Sequence, residues 1–255
     1  MDQIALRTKN LGKSYRIDLI QEAHHRSLRE DLMKLLGRKQ PKSLIQEEFW
    51  ALNGLDLEIG AGESVGLIGP NGSGKSTLLK IFSRVTWPTV GEVEVFGRVG
   101  ALLEVGTGFH ADLTGRENIF LAGAILGMKR REVVRHFDEI IAFSGVEKFL
   151  DIPVKRYSSG MFLRLAFSVM AHLNSEILIV DEVIAVGDAS FQQSCLEKMK
   201  EIVKEGRTVI FVSHELAKLR ELSDRVIWLE EGKCVLDGHP DEVLAKYESS
   251  QLVEV

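Results

Sequence analysis

The feature that most restricts the fold of this chain is a glycine-rich loop between a short apolar segment and a helical one. Residues 64–68 (SVGLI) have the length and composition of a buried strand, and residues 69–76 (GPNGSGKS) follow directly. The loop matches the pattern G-x-x-x-x-G-K-[ST] in the strand, turn and helix context that phosphate binding requires. Its glycines let backbone N–H groups close around a polyphosphate, and a helix start favours negative charge. The segment predicts an α/β fold with a site for nucleotide phosphates.

The side chains of this loop have separate predicted roles. Lys75 has the length to reach the β- and γ-phosphates, and the Ser76 hydroxyl is expected to bind Mg²⁺. The alternative is a chance glycine turn, which the preceding strand argues against. The loop alone does not distinguish an ATPase from a GTPase or a kinase. The residues expected to surround the phosphates are Gly69, Asn71, Gly72, Gly74, Lys75, Ser76 and Thr77.

Two carboxylates follow a second apolar run. Residues 177–180 (ILIV) lead directly into Asp181 and Glu182, and ligands of open α/β sheets lie at the carboxyl ends of strands. We expect Asp181 to hold Mg²⁺ through water and Glu182 to act as general base on an attacking water. Acids at strand ends are often only solvated. The four apolar residues that run into this pair, about a hundred residues after the phosphate loop, favour the catalytic interpretation.

A third apolar run ends near a histidine. Residues 209–212 (VIFV) are followed by Ser213 and His214. A histidine by itself is more often structural than catalytic. In combination with Asp181 and Glu182, His214 predicts a contact to the γ-phosphate that holds the attacking water in place. Continuous apolar runs of this length also indicate strands covered on both faces, and hence a largely parallel sheet.

Composition excludes several classes of protein. The 255 residues fit one large domain, or one domain with a small lobe. The net charge of −5 argues against the broadly basic surface that nucleic-acid binding needs. No apolar run approaches the roughly 18 to 20 residues that cross a bilayer, and the N-terminus lacks a signal-peptide pattern. We therefore expect a cytoplasmic chain without a nucleic-acid partner, although it can dock on a membrane component.

Residues 18–48 interrupt the α/β pattern. They follow a predicted strand and turn over residues 2–17, in which Gly12 and Lys13 break the strand. A capping-box pattern at residues 27–30 (SLRE) predicts a helix start, and leucines then recur at helical spacing. This amphipathic helix either packs on the surface or meets a membrane or a partner. The leucines on its apolar face are Leu28, Leu32, Leu35 and Leu36.

The remaining elements are predicted from periodicity. Short strands are expected within residues 91–103, helices within 116–149 and 161–173, and a hairpin within 226–236 that turns at Glu231 and Gly232.

A serine and a glycine just before the helix predicted within residues 161–173 are part of a motif that resembles that of a known family. With residues 157–161 (YSSGM) added to the motifs above, the chain resembles the nucleotide-binding domain of ABC transporters from about residue 3 to 246. The usual signature of that family is Leu-Ser-Gly-Gly-Gln, so Ser158 and Gly160 match it, whereas Tyr157, Ser159 and Met161 depart from it. The resemblance implies that Ser158, Ser159 and Gly160 face the ATP held by the opposite subunit of a homodimer. The alternative is that Ser158 is an ordinary N-cap.

The resemblance also assigns residues outside the main motifs. Asp188 matches the acid of the family's D-loop. Glu104 falls where the family carries a glutamine that touches Mg²⁺ and senses the membrane partner, although a neutral surface substitution is the alternative. Tyr15 occupies the place of the aromatic residue that stacks on adenine, and Trp50 is a rival for this role.

The resemblance implies an overall organisation as well. It consists of an ATPase domain over residues 1–246 and a tail over 247–255. The domain would combine a P-loop core with a mainly parallel sheet, an antiparallel β subdomain, and a helical subdomain at about residues 104–173.

Three features together are similar to one subfamily: the altered signature, the run over residues 104–118, and the 18–48 insertion. The subfamily comprises the ATPase subunits of exporters for lipid-linked polysaccharides such as O-antigen, capsule and teichoic acid. It implies ATP and Mg²⁺ as cofactors, a homodimer with composite ATP sites, and polytopic permease subunits. It also implies a peripheral location at the cytoplasmic face of the cytoplasmic membrane and only indirect contact with the glycan.

Some members of the subfamily carry a further C-terminal carbohydrate-binding domain, which we expect to be absent here or removed, since the chain stops at Val255. Two other functions remain open. One is an ATPase subunit of an ABC transporter for another cargo. The other is a soluble ABC-type ATPase acting on DNA or ribosomes, a class that usually has long coiled-coil insertions or tandem ATPase units.

Overall fold

The structure is a computed structural model that describes residues 3–20, 44–102, 108–181, 188–213 and 215–251. The catalytic candidates Glu182 and His214, the metal candidate Glu104, and the helix predicted after residue 27 lie outside these ranges. Within the described ranges, no helix is both long and apolar enough to cross a bilayer.

Nine strands in the described ranges form two sheets. The first is antiparallel with the order β2-β1-β4, and the second has the order β5-β6-β7-β3-β8-β9. Every pair in the second sheet is parallel except the β8–β9 hairpin, so the predicted largely parallel sheet is confirmed. The strands are β1 (Ile4–Ile20), β2 (Leu44–Gly60), β3 (Ser64–Ile68), β4 (Val90–Val95), β5 (Val99–Leu102), β6 (Ile177–Asp181), β7 (Thr208–Val212), β8 (Arg225–Glu230) and β9 (Lys233–Gly238).

Helices cover both faces of the parallel sheet. Leu178 and Val180 of β6 belong to a cluster with residues of four helices, whereas Ile177 and Ile179 pack on the opposite face with the antiparallel sheet. This two-sided burial is why β6 has a continuous apolar sequence. The helices of the described ranges are α1 (Lys75–Phe82), α2 (Gly115–Ile125), α3 (Arg130–Ser144), α4 (Ser159–Ala171), α5 (Ala189–Lys204), α6 (Leu216–Leu222) and α7 (Pro240–Gln251).

Helices α2, α3 and α4 enclose a third buried cluster, which includes Ile119, Ile140 and Leu165. The sequence predicted helical structure over 116–149, and the structure divides this region into α2, α3 and a short 3₁₀ turn at Glu147–Phe149. Gly127 and Gly145 follow the two helix ends, the place where glycine is enriched. The parallel sheet, the antiparallel sheet and this helical cluster agree with the predicted α/β class.

The prediction for the N-terminal region was wrong in its boundaries. β1 continues through Gly12 and Lys13 to Ile20, and β2 begins at Leu44. Register shifts of the β1–β2 pairing lie on both sides of Lys13. A β-bulge locally disrupts the ladder without ending the strand, and the sequence pattern does not separate a bulge from a turn. The two ends of the 18–48 segment are therefore paired strands, in which Asp18 lies opposite Gln46.

A histidine beside the helical cluster makes folding stability depend on pH. Burial lowers the pKa of the half-buried His172 below the ordinary 6.5, although the Nδ1 bond to the Ser168 carbonyl at 2.7 Å acts in the opposite direction. Unfolded chains therefore bind a proton here at a higher pH than the folded protein does. The contribution of neutral His172 to the free energy of unfolding is complete above about pH 6.5. It is lost as the pH falls towards the pKa of His172 in the folded protein.

We expect the free energy of unfolding, measured by urea titration, to decrease between about pH 7.5 and 5.5 more steeply for the wild type than for His172→Gln. Parallel curves for the two proteins would contradict this assignment.

Candidate functional site

The phosphate loop joins β3 to α1, and two of its glycines meet neighbouring backbone. Gly69 has φ 148° and Gly74 has φ 104°, values that residues with a Cβ rarely adopt. A Cβ on Gly69 would lie 2.0 Å from the Leu229 carbonyl oxygen, and one on Gly74 would lie 2.5 Å from that of Ala51. The loop can therefore take this path between β8 and β2 only with glycine at both positions.

Lys75 is the first residue of α1, and only 8% of it is exposed. Its Nζ donates hydrogen bonds to the carbonyl oxygens of Gly69 at 2.6 Å and Pro70 at 2.9 Å, and lies 3.5 Å from Ser73 Oγ. These bonds offset part of the cost of burying an ammonium group. They also hold the positive charge inside the curve of the loop, where the phosphates are predicted to bind.

The β8–β9 turn is hydrogen-bonded to the phosphate loop. Gly232 N–H donates to the Ser73 carbonyl at 3.1 Å, and Asn53 N–H donates to the Gly232 carbonyl at 2.9 Å. The predicted hairpin turn is confirmed, but its contact with the phosphate loop was not expected. Only the three-dimensional structure reveals this contact, because Gly232 and Ser73 are far apart in sequence.

The loop opens into a pocket of about 470 Å³ that brings most of the predicted phosphate-site residues together with Asp181 and Tyr15. Asp181 ends β6 opposite Val212, which ends β7. Because the parallel strands β3, β6 and β7 are neighbours, their carboxyl ends meet at this pocket. The lining residues are Tyr15, Phe49, Ala51, Asn71, Gly72, Ser73, Gly74, Lys75, Ser76, Thr77, Asp181 and Val212.

Ser76 and Asp181 share this pocket. A hydroxyl and a carboxylate are the oxygen ligands that Mg²⁺ prefers, so this donor set fits the ion. Among the described residues, no group of three His, Cys, Asp or Glu side chains is placed to hold a metal. A Mg²⁺ ion bound here would also take water and phosphate oxygens as ligands, as is usual for this ion.

The two aromatic candidates occupy different positions relative to the pocket. Tyr15 lines the pocket, whereas Trp50 is not among its described lining residues; it pairs with Ser14, and its ring lies beside Gly12. Phe49 is opposite Tyr15 in the β1–β2 ladder and also lines the pocket. Phe49 was not among the residues predicted from the sequence, although the alternation of side chains along a strand places Phe49 and Trp50 on opposite faces.

The signature residues lie at the start of α4. Ser158 is the N-cap, and its hydroxyl oxygen accepts a hydrogen bond from Met161 N–H at 3.2 Å. Ser158 and Ser159 are exposed, and neither they nor Gly160 are among the described lining residues of the phosphate-loop pocket. The hydroxyl proton of Ser158 can still be donated to a ligand. An exposed helix start of this kind is able to bind a phosphate outside its own chain's pocket.

Asp188 caps one helix and forms an ion pair with a residue of another. It caps α5 by accepting from Phe191 N–H at 3.0 Å and the Ser190 hydroxyl at 2.9 Å, and it pairs with Arg164 of α4 at 2.5 Å. The Phe191 and Ser190 bonds and the nearby Arg164 charge lower the pKa of Asp188 below its usual value. It lies outside the described lining of the phosphate pocket, and its predicted role in nucleotide binding remains a prediction.

Comparison with known proteins identifies the family. The ABC transporter family profile matches residues 52–185, just over half of the chain. The O-antigen export system ATP-binding protein RfbB of Myxococcus xanthus is 45% identical over 249 residues, which are 97% of this chain and 56% of the relative. RfbB of Klebsiella pneumoniae is 42% identical over 203 residues, 80% of this chain and 82% of the relative.

A third relative, the teichoic acids export ATP-binding protein TagH of Listeria monocytogenes, is 42% identical over 215 residues, 84% of this chain and 64% of the relative. The chain thus spans little more than half of the length of the Myxococcus protein. These names confirm the predicted similarity to ATP-binding proteins of O-antigen and teichoic acid export.

Solved structures agree in fold. A dimeric ATP-binding cassette in a post-hydrolysis state, bound to ADP and Pi, superposes with a TM-score of 0.70 at 22% identity, covering 92% of this chain and 98% of that one. An ATP-binding subunit of an ABC transporter reaches 0.74 at 21% identity, covering 96% and 93%. With the phosphate-loop pocket, the family profile and the relatives in agreement, the chain belongs to the ABC transporter family.

Proposed function

We propose that this chain is the ATP-binding and ATP-hydrolysing subunit of an ABC transporter that exports lipid-linked polysaccharide. One observation carries the proposal. A single pocket holds Lys75, Ser76 and Asp181 beside Tyr15, in a chain that is 42–45% identical to export ATP-binding proteins.

In this proposal each residue has a chemical role. The backbone N–H groups of the loop and the Lys75 ammonium bind the phosphates. Ser76 Oγ and Asp181, with Glu104 as a further candidate, would hold Mg²⁺, which neutralises phosphate charge when bound. Glu182, directly after Asp181, accepts a proton from the attacking water, and His214 orients that water against the γ-phosphate.

Two copies of the chain complete each site. Ser158, Ser159 and Gly160 at the start of α4, with Asp188 nearby, would contact the ATP bound by the other copy. ATP then favours the closed dimer, and hydrolysis removes the link. The cycle depends on the different affinities of the open and closed dimers for ATP and ADP. Opening would be transmitted near Glu104 to a permease, with the chain bound peripherally at the cytoplasmic face of the membrane.

Purification of the tagged full-length protein from its own cells tests this proposal. We expect it to hydrolyse ATP in the presence of Mg²⁺ and to co-purify with a polytopic permease and lipid-linked glycan. A substrate-binding protein of an importer in the complex would contradict export. Purification without any membrane protein would favour a soluble ABC-type ATPase.

A further inference from the structure

An exposed phenylalanine on strand β2 of the antiparallel sheet lines the phosphate-loop pocket. Phe49 of β2 is 48% exposed, and its cross-strand partner Tyr15 is 39% exposed. We propose that Phe49 is a second residue that contacts the base of the nucleotide, and that a nucleotide held on the Tyr15–Phe49 pair stabilises the two-stranded end of the β1–β2 hairpin. This inference rests on nucleotide binding in the proposed function.

The two rings lie on one face of the sheet at the edge of the pocket. Side chains directly opposite each other in an antiparallel ladder share a face, and both Tyr15 and Phe49 line the pocket. The Lys13 ammonium lies 5.3 Å from the centre of the Tyr15 ring, over one side of that ring. A ligand can therefore stack on the other side of Tyr15 and extend towards Phe49.

The chemistry of the pocket changes from one end to the other. Lys75 and Ser76 at the start of α1 suit phosphates, whereas Tyr15, Phe49 and Ala51 from β1 and β2 present mainly apolar surface. An aromatic wall next to a phosphate site suits the flat face of a base. Phe49 and Ala51 have no hydrogen-bonding side-chain atoms, so they contact the face of the ring without reading its edge. Adenine and guanine nucleotides should depend on Phe49 to a similar extent.

The Tyr15–Phe49 pair also lies where, in the described part of the chain, the antiparallel sheet narrows from three strands to two. β4 pairs with β1 from Leu6 to Gly12. Beyond that point the β1–β2 pairing continues without β4, from Lys13 opposite Leu52 to Ile20 opposite Leu44. A two-stranded hairpin is marginally stable by itself. A base stacked on one residue from each strand would favour the paired state, because a ligand that binds only the folded form stabilises that form.

The binding test separates the base from the phosphates. Calorimetry on the full chain with Mg²⁺ would compare ADP, GDP and inorganic pyrophosphate for the wild type and Phe49→Ala. We expect Phe49→Ala to weaken ADP and GDP about 5- to 10-fold and to leave pyrophosphate affinity unchanged. Phe49→Tyr, which keeps the aromatic face, should restore most of the ADP affinity. Phe96→Ala removes a ring that is 53% exposed and not among the lining residues, and it should change nothing.

The second test measures the local stability of the β1–β2 hairpin. Amide hydrogen exchange of residues 13–20 and 44–52 should slow about 5-fold or more in the wild type at saturating ADP, and by less in Phe49→Ala at equal saturation. Unchanged ADP affinity in Phe49→Ala, or an equal loss for pyrophosphate, would overturn the base contact. Exchange that does not respond to ADP in the wild type would overturn the stabilisation. A wild type that binds neither ADP nor pyrophosphate would instead refute the proposed function.

Discussion

Replacing Lys75 with methionine is expected to weaken the binding of ATP and ADP at least about 30-fold, or about 2 kcal/mol, because truncating one partner of a buried charged contact costs about 2–5 kcal/mol. Methionine keeps an unbranched side chain that reaches as far as Cε, and it removes the ammonium group. Only 8% of the Lys75 residue is exposed, and its Nζ donates a hydrogen bond to the Gly69 carbonyl oxygen at 2.6 Å. ATP turnover should fall with binding, since a nucleotide that is not held cannot react. Equilibrium titration with ADP measures the loss directly.

A control on the same helix separates charge from helix stability. Lys80→Met makes the same substitution in the last turn of α1, outside the described lining of the pocket, and should bind ADP as the wild type does. Thermal unfolding without nucleotide would show whether Lys75→Met folds. Wild-type ADP affinity in a folded Lys75→Met protein would exclude a phosphate contact for this lysine.

The change Glu182→Gln is expected to lower kcat for ATP hydrolysis about 100- to 10,000-fold while leaving ATP affinity nearly unchanged. This range is what a positioned general base contributes. Strand β6 ends at Asp181, which lines the pocket, and Glu182 is the next residue. Glutamine keeps the size and hydrogen-bonding shape of glutamate but cannot accept the proton of the attacking water. Because ATP binds and is not cleaved, this variant should accumulate as a closed dimer.

Turnover and dimerisation are measured separately for this variant. Phosphate release gives kcat, and light scattering with and without ATP gives the fraction of dimer. Glu205→Gln, at an exposed position just after α5, controls for the loss of one carboxylate. Unchanged turnover in Glu182→Gln would refute its assignment as the base, and loss of ATP binding would assign it to the binding of nucleotide or metal instead.

The amino-acid sequence was sufficient where adjacent residues carry both the structure and the chemistry. The strand, loop and helix around Lys75 form one contiguous segment, and so do the buried strand and acid that end at Asp181. Parallel strands bring their carboxyl ends to the same edge of a sheet. The sequence could therefore predict that Lys75, Ser76 and Asp181 share one pocket, without any knowledge of the pairing between distant segments.

The sequence was insufficient where the structure depends on pairing between distant residues. β1 and β2 pair across a long segment, from Ile4 opposite Gly60 to Ile20 opposite Leu44. Local periodicity does not report such pairing, because the stability of a strand comes mainly from its cross-strand neighbours. Local sequence therefore does not separate the bulge at Lys13 from the end of a strand, and it does not show that Phe49 is a neighbour of Tyr15.

By itself, the sequence determined the α/β class, the phosphate loop and the family of this protein, because these depend on short motifs and on the burial of contiguous strands. Only the tertiary structure decided that Tyr15 lines the pocket whereas Trp50 is not among its described lining residues, and that Phe49 lies opposite Tyr15. It also decided that Gly232 is hydrogen-bonded to the phosphate loop. Each of these contacts joins residues that are distant in the chain. The register of the strands and the path of a turn, which local sequence does not specify, bring them together.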